Sequence, residues 1–123
     1  MKVAVSAAGP GLDAPVDDRF GRCPYLVFVD ANTLEAESIE NTGGGSRGGA
    51  GIATAQTVVN KGIKVVITGH VGPNAYDVLS RAGVKVYSGA SGTVRESIEA
   101  FRKGKLAVVS AATAPPHSGM GAP

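Results

Sequence analysis

From residue 52 onward the chain alternates between a helical period and short apolar runs, and no other feature constrains the fold as much. Residues 52–60 place Ile52, Ala55 or Gln56, and Val59 at helical spacing and stop at Gly62. Residues 63–68 form an apolar run broken only by Lys64, the pattern of a central strand covered on both faces. Pro73 suits a first helical position, where its missing N–H costs nothing, and Ala75, Val78, Leu79 and Ala82 make one apolar face before Gly83. Residues 84–87 are a further short strand. Thr93 and Glu96 then match a capping box, with Val94, Ile98 and Phe101 on the buried face and Gly104 as the stop. This succession predicts parallel strands joined by right-handed helical crossovers.

The first forty residues read differently. Residues 2–8 are a strand of small and β-branched side chains, followed by a loop, 9–22, too long for a simple connection. Residues 25–30 are apolar on both faces, and Asp30, Asn32 and Thr33 supply turn chemistry into residues 34–40, which predicts an antiparallel hairpin. Glu35, Glu37 and Glu40 charge its second arm, as suits a rim strand that must not recruit another chain. With strand one central, the hairpin falls on one side and the later strands on the other. The expected fold is an α/β domain over residues 1–109: a five-stranded mixed sheet in the order 3-2-1-4-5, strand 2 antiparallel, with helices on both faces. Residues 106–109 offer a short extended piece outside that count, and 110–123 read as a flexible C-terminal tail.

The totals narrow the function classes. A chain of 123 residues supports one core, and with 43% apolar residues and no tryptophan that core is built from small side chains. The 12 basic and 10 acidic residues are interspersed, leaving a net charge of +2 without a basic run, so no nucleic-acid partner is expected. No apolar stretch approaches the roughly 18 residues of a membrane span, and the N-terminus enters strand one without a signal-peptide pattern, so a cytoplasmic protein with no membrane partner is expected. Cys23 is the single cysteine and cannot form an internal disulfide.

Strand direction places the ends of strands one, three, four and five at one rim, together with the start of strand two. Loops 9–22, 43–51, 69–72 and 88–92 therefore share that rim, where open α/β sheets bind ligands. Helices one and two aim their N-termini there, which favours an anion, and Arg19, Arg22 and Arg47 strengthen the preference. The glycine loop with Gly45, Gly48 and Gly49, and the turn with Gly69, Gly72 and Asn74, are the candidate cradles. The loop is either an anion cradle or a flexible connector. Arg19 and Arg22 either offer forked donors to an oxoanion or sulfide-rich anion, or pin the long loop to Asp17 or Asp18. The pattern Gly43-x-Gly45-x-x-Gly48 is not a dinucleotide fingerprint, because no acid follows about 20 residues later on a strand end. No Gly-Lys-Ser/Thr occurs, which excludes a P-loop.

Four motifs carry a resemblance: residues 18–25, the glycine loop, residues 67–75 and residues 82–87. Together they resemble the dinitrogenase iron-molybdenum cofactor biosynthesis family, the domain shared by NifX, NafY and the C-terminal part of NifB. The resemblance implies a ribonuclease-H-like sheet. It also implies a nitrogen-fixation-related, non-catalytic carrier of an iron-molybdenum cofactor precursor or related metal-sulfur cluster, a guest not required for folding, with cluster donor or acceptor proteins as partners. In that setting Cys23 is either a soft thiolate ligand or a small buried hydrophobe, and four-ligand cluster chemistry is beyond one cysteine. His70 either binds metal through a neutral imidazole or bonds a loop carbonyl. His117 and Met120 are soft ligands in the tail. Asp13, Asp17 and Asp18 raise the idea of a two-metal nuclease, but strand one carries no acid to hold the metals. A regulatory module for small anions or nucleotides, and a ligand-free interaction domain, are the alternative readings.

Overall fold

Strand β1, Lys2–Ala7, organises the molecule. The computed structural model describes residues 1–41 and 50–110. β1 pairs antiparallel with β2, Tyr25–Asp30, and β2 pairs antiparallel with β3, Ala36–Glu40. On its other side β1 pairs parallel with β4, Val65–Ile67, and β4 with β5, Lys85–Ser88. Helices α1, Ala50–Asn60, α2, Pro73–Arg81, and α3, Val94–Arg102, connect the later strands.

The five-strand count needs correction. A sixth strand, β6, Ala107–Val108, lies antiparallel against β5, so the order is β3-β2-β1-β4-β5-β6. Two residues are too few to show an alternation of apolar and polar positions, and Val108 is 57% exposed, so neither period nor burial marks the strand in advance. What holds it is the free edge of β5, where the Val109 N–H donates to the Val86 carbonyl at 2.7 Å.

Alternation along the strands divides the core in two. Ala4, Leu26, Phe28, Val66 and Val86 point to the face covered by α1 and α2, and Val3, Val5, Val27, Val29, Val65 and Ile67 to the face covered by α3. The two helices on the first face touch at their first turns. A Cβ on Gly51 would sit 3.2 Å from that of Ala75, a close approach that only glycine leaves comfortable. On the other face, Phe101 of α3 packs edge-on against Tyr87 of β5, with ring centroids 5.0 Å apart.

Candidate functional site

The 9–22 connection is an ordered strap. From the end of β1 it extends the sheet by an antiparallel bridge between Ala7 and Val16, with Ala8 N–H on the Pro15 carbonyl at 2.8 Å and Asp17 N–H on the Ser6 carbonyl at 2.9 Å. Its carbonyls also cap α3, because Ala14 accepts from Val94 N–H at 2.9 Å and Leu12 from Arg95 N–H at 2.8 Å. Ala14 and Phe20 are buried and anchor the strap from below.

Beneath it lie two hydroxyls that sequence reasoning passed over. Ser6 and Thr68 are both fully buried, with their oxygens 2.7 Å apart, and Ser6 Oγ donates to the Asp17 carbonyl at 2.7 Å. A hydroxyl inside an otherwise apolar strand needs a partner, which is the signal that would have found the pair.

Past Asp17 the strap runs beside the turn that follows β4. His70 N–H donates to the Asp18 carbonyl at 2.7 Å, and Phe20 N–H to the His70 carbonyl at 3.1 Å, making a parallel bridge between Arg19 and His70. Gly69 permits this contact. A Cβ there would overlap the Asp18 carboxylate and stand 2.8 Å from its carbonyl oxygen.

The structure thus brings Arg19, Arg22, Gly69, His70, Gly72 and Asn74 to one rim. Arg19 is exposed and its Nε lies 3.5 Å from Asp17 Oδ1. Arg22 is exposed too, and it makes no ion pair among the described residues. His70, 55% exposed, has Nε2 3.7 Å from Asp18 Oδ2. Gly72 caps α2 in extended conformation with no side-chain hydrogen bond to the first turn, and nothing lies within 4 Å of where its Cβ would be. The space beside Gly72 is open, and no acidic side chain belongs to the first turn of α2. Asn74, in that first turn, is exposed.

Cys23 turns the other way. It is fully buried on the α1 and α2 face, its Sγ donating to the Phe20 carbonyl at 2.9 Å. Asn41 Nδ2 donates to the Cys23 carbonyl at 2.8 Å and lies 3.5 Å from Sγ. Burial, reinforced by the nearby Asp17 carboxylate, pushes the thiol pKa up to about 12, so Cys23 is a thiol at neutral pH. Asn41 Oδ1 in turn accepts from Thr54 Oγ1 at 3.0 Å, tying the end of β3 to α1.

Gly45, Arg47, Gly48 and Gly49, and likewise His117 and Met120, lie outside the described residues. Among those that are described, no three of His, Cys, Asp and Glu converge as a metal cage, and no helix is long and apolar enough to cross a membrane. An open groove lined by Gln56, Val59, Val78 and Arg81 lies between later turns of α1 and α2, away from the rim.

An open, mixed α/β sheet with helices on both faces, whose loop end sets Arg19 and Arg22 among Asp13, Asp17 and Asp18, describes the class of fold. The chain belongs to the dinitrogenase iron-molybdenum cofactor family, whose profile its residues 1–104 match. It is similar to the orange protein of Desulfovibrio gigas, solved in its apo form. That likeness has 40% identity and a TM-score of 0.87 over 91% of this chain and 95% of that one. It is also similar to a NifB-like protein of Thermotoga, at 40% identity and a TM-score of 0.74 over 85% and 90% of the two chains. An uncharacterized protein of Methanocaldococcus jannaschii is 33% identical over 75% of this chain and 85% of its own length.

Proposed function

We propose that this protein is a non-catalytic carrier that takes up a preassembled, anionic metal-sulfur species, of the kind a precursor of the iron-molybdenum cofactor represents, at the loop rim. The observation that carries this reading is the pairing of strap and turn, with His70 N–H on the Asp18 carbonyl at 2.7 Å and Phe20 N–H on the His70 carbonyl at 3.1 Å. That pairing fixes the strap that carries Arg19 and Arg22 against the turn that carries His70 and leads into α2.

In this role Arg22, exposed and without an ion pair among the described residues, is the cation that meets the guest, and Arg19 adds charge from its place beside Asp17. Gly69, Gly72 and Asn74 leave the approach to the α2 backbone clear. His70 is the side chain placed to touch metal. Cys23 is not, because its sulfur faces the core and keeps its proton. The guest is thus held by charge and hydrogen bonds at the rim, and Gly45, Arg47, Gly48 and Gly49 remain proposed contacts from the sequence of the glycine loop. Family membership supports the class of guest, and the order of the first five strands supports reading the sheet as ribonuclease-H-like. Donor and acceptor proteins for the cluster would follow from a carrier role.

Anaerobic purification from cells supplied with iron, molybdate and sulfide should give coloured protein with metal in fixed ratio to chain, and apo protein should bind tetrathiomolybdate from solution. Colourless protein that also leaves tetrathiomolybdate free would overturn the carrier reading. The inward thiol favours a second reading, a module for hard anions, since it turns the chain's single cysteine away from the rim. Phosphate displacing tetrathiomolybdate at comparable concentration would select it.

A further inference from the structure

We propose that Asp18 is an internal counter-anion, seated where the guest must bind and displaced when it does; this deepens the carrier reading and rests on it. The two neighbouring acids of the strap are built differently. The Asp17 side chain is only 12% exposed, accepts Arg19 N–H at 2.9 Å and holds the Arg19 guanidinium, so it serves the strap itself. The Asp18 side chain is 70% exposed and accepts no hydrogen bond among the described residues. Its backbone is fixed through its carbonyl, by His70 N–H at 2.7 Å, so its carboxylate is not needed to hold the strap in place.

That carboxylate nevertheless lies flat on the β4–α2 turn. Its Oδ1 fills the space a Cβ on Gly69 would need, and its Oδ2 is 3.7 Å from His70 Nε2. It thus occupies the ground over Gly69 and beside His70, two of the residues the carrier reading gives to the guest. A rotation about its side-chain bonds would carry the carboxylate into solvent and leave the strap's backbone bonds intact. The contact with His70 is exposed and holds the carboxylate weakly, and a guest of higher charge gains more from the rim's donors on displacing it than a monoanion does. Asp18 therefore sets a threshold of charge for occupancy and keeps the rim from filling with common monovalent anions.

The test is anaerobic titration of the full chain with tetrathiomolybdate, followed by its absorbance, for the wild type, Asp18→Asn and Asp18→Glu. Asp18→Asn should bind about three- to tenfold more tightly, the size of one exposed carboxylate acting on a dianion in near-water dielectric. The gain should shrink as salt is raised from about 0.05 M to about 0.5 M, where the screening length falls below the span of the site. Asp18→Glu should show no gain. Binding by Asp18→Asn equal to or weaker than wild type overturns the inference and leaves the carrier reading standing, as does an equal gain in Asp18→Glu. Tight binding by Asp18→Asn alone supports it. Tetrathiomolybdate left free by all three proteins overturns the carrier reading and the inference with it.

Discussion

Cys23 joins its own chemistry to the stability of the fold. The thiol is fully buried, bonded to the Phe20 carbonyl, and holds its proton up to about pH 12, whereas in the unfolded chain it loses that proton near an ordinary thiol pKa. Between those two values the unfolded state binds fewer protons than the native state, so stability falls as pH rises. The group's contribution is complete below about pH 8.5 and is lost towards about pH 12, with a limiting slope of about 1.4 kcal/mol per pH unit from this one group. Denaturant midpoints measured from pH 8 upward should therefore decline in the wild type and decline less steeply in Cys23→Ala. Parallel curves for the two proteins would mean that the thiol is not the cause. The same burial explains why sequence alone leaves Cys23 open between ligand and core. A cysteine beside an arginine and a glycine loop looks exposed, and only the fold of the strap over Phe20 turns it inward.

At the scale of elements, α3 shows how local signals and distant partners divide the work. Thr93 and Glu96 form the expected capping box, with Glu96 N–H on Thr93 Oγ1 at 3.1 Å and Thr93 N–H on Glu96 Oε1 at 2.9 Å. Thr93→Ala should lower stability by about 1 kcal/mol in chemical denaturation, and Thr93→Ser should recover most of it. A loss near zero would mean that the strap carbonyls of Leu12 and Ala14 cap the helix sufficiently without the side chain. Helix stops were legible for a similar local reason, since Gly62, Gly83 and Gly104 adopt φ of 73°, 78° and 71°, a conformation that glycine reaches without strain. The strand order of the first five strands was legible too, because crossover handedness and hairpin turns depend on neighbours in sequence. The strap's order was not. Its partners, Ser6, His70, Gly92 and α3, are scattered along the chain, and no period within 9–22 announces them. β6 was legible only as a short extended piece over 106–109 and not as a sixth strand, because the edge of β5 and not its own two residues holds it.

The molecule as a whole is polarised from rim to rim. The ends of β1, β4 and β5, the strap and the first turns of α1 and α2 gather at one end, while Lys64 and Lys85 stand where β4 and β5 begin, at the other. A formal net charge of +2 is too small to draw an anion by itself, so any preference must come from where the charges sit. Arg22 and Lys64 make a matched pair for testing this, because both are exposed and neither forms an ion pair among the described residues. Arg22→Glu and Lys64→Glu each take the formal net charge from +2 to zero. At about 0.15 M salt, where the screening length is about 8 Å, Arg22→Glu should weaken tetrathiomolybdate binding by about tenfold, as expected when a cation near a dianion becomes an anion. Lys64→Glu should change it by no more than about twofold, since a charge many ångströms away is screened. Equal losses in the two variants would show that total charge, and not the rim where the strap meets the β4–α2 turn, governs capture of the guest.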